Sequence, residues 1–363
     1  MKILFVCTVP TENNGISNVI FNFFNSLKIA NVELGYVAIN TPASNIIQQL
    51  RDLNVSLYVI SRKISAPHNY IRNLALIAKG YDAIHVHGNS ATMVLEMIAA
   101  KIAGVSLRIA HSHSISCTYK TIDKIVRPIF YSLCNGRLAC SKSAGKWLFK
   151  NRDFLVVNNG INSSKFIFNG KKREELKTRL NLEGNIVIGN VANFIPEKNH
   201  SFLLDIFDEL LKINNSYRLL LLGDGPLKEE IKKKAIKLGM LDKIIMPGCV
   251  NNPEDYLNII DLIVMPSFFE GMPLSLLEAQ SNGLHALISD SISNEVNITG
   301  NIDFYSIHES PTAWANMIIK IIPSPNRTAE DSQECISLIK DTGFDTKTST
   351  ATLIKYYNSK LNE

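Results

Sequence analysis

Glu270 and Glu278 stand eight residues apart in the run Ser267-Phe268-Phe269-Glu270-Gly271-Met272-Pro273-Leu274-Ser275-Leu276-Leu277-Glu278-Ala279, which follows a strand-like apolar stretch at 262–265. Gly271 and Pro273 keep Glu270 out of the helix. Pro273 or Leu274 is a natural first helical residue, because proline lacks the N–H that would go unpaired there. The unpaired N–H groups of Leu274, Ser275 and Leu276, added to the helix dipole, make an anion site. This spacing would let one carboxylate bond sugar hydroxyls above the site and the other a ribose diol beside it, with a diphosphate between them. The competing reading is a plain helix start whose acidic residues complement the dipole.

Other chemistry-bearing residues sit after strand-like runs. Asn14 and Gly15 follow the first strand, where Gly15 opens a helix and can turn its N–H to an anion; a simple Asn-capped turn is the alternative. His111 and His113 end a strand on one face, and His85 and His87 alternate in the same way one strand earlier. The His85-x-His87 pair could suit a metal, yet it has no cysteine or carboxylate partners nearby in sequence, which favours structural or acceptor-side roles. The stretch 119–133 carries Lys120, Lys124 and Arg127 near one side and isoleucines on others; it reads equally as a membrane-facing or a packed helix, with Pro128 expected to kink or end it.

These residues need a scaffold. The first half alternates β-type runs at 2–8, 33–39, 55–60, 82–87, 106–111, 137–140 and 154–157 with amphipathic stretches. The second half restarts the pattern with strands at 186–191, 217–222, 243–246, 261–265 and 285–288 and helices between them. After Pro323 only helix is expected, at 326–340 and 345–361. Repeated β-then-α units mean doubly wound, mostly parallel sheets, whose ligands sit at the carboxyl ends of the strands. The expected division is 1–163, 164–340 and a C-terminal helix segment 341–363 packing on the first domain, with a hinge near 160–166.

Composition bounds the rest. The 363 residues are 46% hydrophobic and suit two domains. No apolar run is long enough to span a bilayer and the N-terminus leads straight into a strand, so a cytoplasmic protein is expected. Six scattered cysteines form no Cys-x-x-Cys pair. Residues 1–164 carry 17 Lys+Arg against 7 Asp+Glu, and the remainder 21 against 26, so the first half faces something anionic. No Gly-x-Gly-x-x-Gly follows a strand and no helix-turn-helix or stacking-aromatic motif occurs, which excludes a dinucleotide oxidoreductase and a nucleic-acid binder.

The 267–279 run resembles the Glu-x7-Glu motif of retaining glycosyltransferases of the GT-B fold, family 4, and is most similar to bacterial enzymes of exopolysaccharide and capsular polysaccharide synthesis. Asn158-Asn159-Gly160-Ile161-Asn162 with Phe166, Ala139-Cys140-Ser141-Lys142, Val191–His200 and Leu222-Gly223-Asp224-Gly225-Pro226 resemble further family segments in the right order. The resemblance implies an α/β GT-B fold, two Rossmann-like domains facing across a cleft. It implies that Glu278 binds the donor ribose, that Glu270 contacts the transferring sugar, that Lys198 binds the diphosphate and that a histidine, His113 in preference to His111, touches the donor sugar. Gly271, Met272, Pro273, Leu274, Ser275, Gly223, Asp224, Asn193, Gly15 and Asn14 complete the implied donor site. Asn193 stands where the family carries arginine, five residues before the lysine. The implied reaction moves a hexose-type sugar, with retention, from a nucleotide-diphosphate sugar, expected to be UDP-linked, to a glycan or lipid-diphosphate-linked acceptor at the inner face of an anionic membrane. No metal and no other cofactor is expected, and no Asp-x-Asp string occurs. The alternatives are a donor-binding member weakened by Asn193 and a nucleotide-sugar epimerase of the same fold.

Overall fold

The first strand, β1 (Lys2–Cys7), is buried along its length after Lys2, as a strand covered on both faces must be. It is an interior strand of a seven-stranded sheet with β2 (Glu33–Ala38), β3 (Ser56–Val59), β4 (Ala83–Gly88), β5 (Leu107–Ser112), β6 (Gly136–Ala139) and β7 (Leu155–Val156). The order is β3-β2-β1-β4-β5-β6-β7, all parallel. A second parallel sheet holds β8 (Ile186–Val191), β9 (Tyr217–Leu222), β10 (Ile244–Gly248), β11 (Leu262–Met265), β12 (Ala286–Ser289) and β13 (Ile302–Tyr305), in the order β10-β9-β8-β11-β12-β13. In this computed structural model residues 1–11, 15–61, 63, 65–322 and 327–362 are described. Among the described residues no helix is long and apolar enough to cross a membrane.

The chain divides into two units, Met1–Ile161 with Gly343–Glu363, and Asn162–Thr342. The last segment joins the first unit through an isolated bridge between Ile161 and Asp345, with Ile161 N–H on Phe344 O (2.9 Å) and Thr346 N–H on Ile161 O (2.8 Å). Gly160 permits this approach, since a Cβ there would lie 2.8 Å from the Asp345 carbonyl. The helix Thr346–Leu361 then buries Leu353 and Tyr357 in the first unit.

β13 and the helix Pro311–Ile321, which buries Trp314, carry no expectation from the sequence. Pro128 neither ends nor splits its helix, which runs unbroken from Lys120 to Leu133. Pro128 lies on the exposed side with Lys124, so water can take the carbonyl that proline leaves without an N–H partner. β10 accommodates Pro247 because it is an edge strand.

Candidate active site

The loops after β8, β9 and β11 are knitted together in the second unit. Gly223 and Gly225 have φ of +143° and +157°. A Cβ on Gly223 would meet the Ala192 carbonyl oxygen at 2.1 Å, and one on Gly225 the Phe194 oxygen at 2.7 Å. Only glycine lets the 223–225 turn back the Asn193 loop this closely. Phe194 N–H donates to Asp224 O at 3.0 Å and Leu227 N–H to Phe194 O at 3.0 Å. The Asp224 carboxylate accepts from Gly225 N–H (2.8 Å) and Lys228 Nζ (3.2 Å), and these bonds hold it below the usual carboxylate range.

Lys198 ends a short turn, Pro196–Lys198. Two bonds tie that turn to the loop after β11: Phe268 N–H to Glu197 O at 2.8 Å and Asn199 Nδ2 to Pro266 O at 3.1 Å. They bring Lys198 Nζ onto Glu270 Oε1 as an ion pair, and Ser267 Oγ also donates to that carboxylate at 3.1 Å. The expected phosphate cation and the expected sugar-binding carboxylate are thus each other's partner. His200, two residues on, is stacked on Phe194 with centroids 4.4 Å apart. Burial, helped by Lys198, pushes it down to about 4, so it is neutral.

The helix beyond Glu270 runs Leu274–Ser281 and has no side-chain cap at Pro273. Of its three expected free donors, Leu276 N–H already bonds Pro273 O at 3.1 Å, a correction to the anion site read from sequence: a tight first turn satisfies it. Gly271 is exposed, Met272, Leu274 and Ser275 are half-buried, and Pro273 is buried. Glu278 is half-buried. Burial pushes its carboxyl up to about 7, against the pull of Lys165 and with the push of Glu254. Lys165 and Glu254 form an ion pair at 3.0 Å. Asn282 holds their neighbourhood in place by donating to Phe166 O (2.8 Å) and Asn258 Oδ1 (3.1 Å). Lys165 and Glu254 gave no signal in the sequence, because only folding brings them to Glu278.

In the first unit, Gly15 begins the helix Gly15–Ile29, and a Cβ there would touch nothing within 4 Å, so space does not demand glycine. Asn14 lies outside the described residues. His85 and His87 lie on β4 and His111 on β5, all fully buried; His113 follows β5 and is half-buried. His87 Nδ1 and His113 Nε2 are 2.8 Å apart, and burial pushes His113 down to about 3. The second unit also holds a cavity of about 920 Å³ lined by Arg173, Lys177, Asp261, His285 and Arg327. It lies at the amino ends of the strands, opposite the loops where ligands of doubly wound sheets bind.

Comparison with solved structures gives the class. The fold matches that of HepE from Anabaena, solved in complex with UDP, at TM-score 0.80 with 17% identity over 99% of this chain and 100% of that one. It matches a glycosyltransferase from Rickettsia africae at TM-score 0.81 with 16% identity over 100% and 99%. Two parallel α/β units of this kind are the GT-B fold. Residues 172–337 match the family model described as Glycosyl transferases group 1; the chain carries that domain and is a glycosyltransferase. EpsF of Bacillus subtilis (strain 168), named as a glycosyltransferase, is 28% identical over 364 residues, 96% of this chain and 94% of EpsF. The capsular polysaccharide biosynthesis glycosyltransferase CapH of Staphylococcus aureus is 26% identical over 326 residues, 86% of each.

Proposed function

We propose that the protein transfers a sugar, with retention as in family 4, from a UDP-sugar to a glycan or lipid-diphosphate-linked acceptor in bacterial surface polysaccharide synthesis, at the cytoplasmic face of the membrane. The observation that carries this is the Lys198–Glu270 pair beside the uncapped start of the helix that bears Glu278. A nucleoside diphosphate leaving group gathers negative charge as the glycosidic bond breaks, and a fixed cation with a helix N-terminus stabilises that charge. The diphosphate takes Lys198, which releases Glu270 to accept from hydroxyls of the transferring sugar. Glu278 accepts from the ribose diol, and His113 contacts the donor sugar. Lys198 and the helix start supply the charge that a metal would otherwise supply, so the reading needs none. The relatives' names support the acceptor class: one matching protein of Escherichia coli is a UDP-Gal:alpha-D-GlcNAc-diphosphoundecaprenol alpha-1,3-galactosyltransferase, 28% identical over 66% of each chain.

The helix Lys120–Leu133 supports a membrane partner. Its buried side carries Asp123, Phe130 and the half-buried Arg127, with Asp123 paired to Arg127 at 2.8 Å and accepting from Ala91 N–H at 2.7 Å. Its exposed side carries Ile122 (52% exposed), Ile125 (70%) and Ile129 (54%), with Tyr119 and Ile115 just before them and Lys120 and Lys124 alongside. Apolar residues facing out beside lysines suit an anionic lipid surface.

Asn193 favours one second reading, a donor-binding protein of weakened turnover. The deciding experiment is a thermal-shift panel of nucleotides and nucleotide sugars, followed by transfer assays with the stabilising donor. A bound donor at 100 times its Kd stabilises by about 2.7 kcal/mol. A UDP-sugar should stand out, and Glu270→Ala should abolish transfer. No shift with any nucleotide sugar, or undiminished transfer by Glu270→Ala, sinks the proposal; a shift without turnover selects the second reading.

A further inference from the structure

Four imidazoles at the carboxyl ends of β4 and β5 form a two-by-two array. His85 and His111 meet edge to edge, Nε2 to Nδ1 at 3.1 Å, with ring planes 12° apart. His87 and His113 do the same, Nδ1 to Nε2 at 2.8 Å and 19°. The two pairs stack, His85 on His87 with centroids 4.3 Å apart and His111 on His113 at 4.4 Å. Phe5 covers one side, 4.9 Å from His85 and 5.6 Å from His87. The Tyr357 hydroxyl, from the C-terminal helix, lies 2.6 Å from His85 Nδ1.

Among the described residues, His85, His87 and His111 have ligand atoms within 4.8 Å of one another, near enough to suggest a metal ion. The stacking speaks against one. An ion lies in the plane of each imidazole that binds it, and rings piled face to face have nearly parallel planes that do not meet at an ion. The edge-to-edge bonds also spend nitrogen lone pairs on neighbouring rings. Hydrogen bonding accounts for the array instead. Burial pushes all four rings far down, so each is neutral, with one N–H and one bare nitrogen. Burial raises the Tyr357 phenol, which keeps its proton and donates to His85 Nδ1. His85 then carries its proton on Nε2 and donates from it to His111 Nδ1, so that His111 carries its own proton on Nε2. In the other layer the His87–His113 bond likewise requires one N–H and one bare nitrogen. The outer nitrogens of that pair, His87 Nε2 and His113 Nδ1, are both buried without a hydrogen-bond partner, so the geometry sets the rings and not the side on which the shared proton sits.

We propose that His87 is a positioning residue: through its Nδ1 it fixes the ring plane of His113, and so the direction in which that ring presents its edge to a ligand. The catalytic consequence rests on the reading of His113 as the sugar-contacting histidine. The lock itself does not.

The test uses the full chain labelled with ¹⁵N-histidine, the His113 signals being assigned by their loss in His113→Gln. The nitrogen shift of His113 Nε2 reports its hydrogen bond to His87 Nδ1. His87→Leu should move that shift, and should lower kcat by roughly tenfold to a hundredfold, by analogy with partners that orient histidine ligands, with little change in the donor KM. His87→Asn places an amide where Nδ1 stood and should restore both that shift and most of kcat. His87→Gln carries its amide one bond too far and should not. Unchanged His113 shifts in His87→Leu, or His87→Asn no better than His87→Leu at equal melting temperature, overturns the proposal. So does stoichiometric bound zinc whose chelation moves all four rings. Full activity in His113→Ala overturns the sugar-contact reading alone, and the nitrogen shifts then decide the lock.

Discussion

A carboxyl group raised to about 7 makes Glu278 the residue through which pH should act. In the proposed role its ionised form accepts from ribose hydroxyls, so nucleotide affinity should rise as pH climbs through about 7, and titration calorimetry of Glu278→Gln should show a flat profile. The stability sign is opposite. A carboxyl raised from 4.5 to about 7 on folding binds its proton more tightly in the folded state. Its contribution is therefore full below 4.5 and is lost as pH rises through about 7. Denaturant midpoints of the unliganded protein should fall across that window less steeply in Glu278→Gln. Removing the Lys198 cation should cost roughly 10²–10³ in kcat, as removal of one donor to a developing charge does; steady-state transfer by Lys198→Ala checks it. Glu270 and Glu278 drew attention because they stand at fixed offsets from a helix start, and Lys198 only because 191–200 resembles a family segment. That Lys198 and Glu270 bind each other was not legible, because 72 residues separate them and no local pattern encodes which loops a folded sheet brings side by side.

At the scale of elements, two segments make opposite demands. The 223–225 turn must be glycine because backbone oxygens stand where a Cβ would go. Gly225→Ala should push the Asn193 loop away and abolish the donor-induced thermal shift while the chain stays folded. The helix Lys120–Leu133 is apolar outside although its packing uses the other face, which the proposed membrane partner accounts for. Ile125→Asp should leave the melting temperature within about 1 °C, as an exposed substitution does, and should abolish co-sedimentation with vesicles containing anionic lipid. The alternation of β and α runs was plain in the sequence because buried parallel strands are nearly continuous apolar runs. β13 escaped because it is a short edge strand with Asp303 in its four residues, so it shows neither a continuous run nor a strict alternation. The outward isoleucines of 120–133 could be read either way, because periodicity shows that a helix has two faces but not which one the fold covers.

At the scale of the molecule, the first unit is finished by residues that follow the second. Tyr357 is fully buried, caps one layer of the histidine array, and comes from the last helix. Tyr357→Ala should destabilise that unit by about 3–5 kcal/mol, read as an earlier unfolding transition. The nucleotide-induced shift should survive, since Lys198, Glu270 and Glu278 all lie in the other unit. The same connectivity, with one crossing at Ile161/Asn162 and a return at Thr342/Gly343, makes the second unit an insertion within the first. One protease nick at either crossing therefore severs the chain without freeing a unit. Release takes two cuts, and a circular permutant opened at one crossing, with the old termini joined, would keep every residue of both units in two uninterrupted stretches.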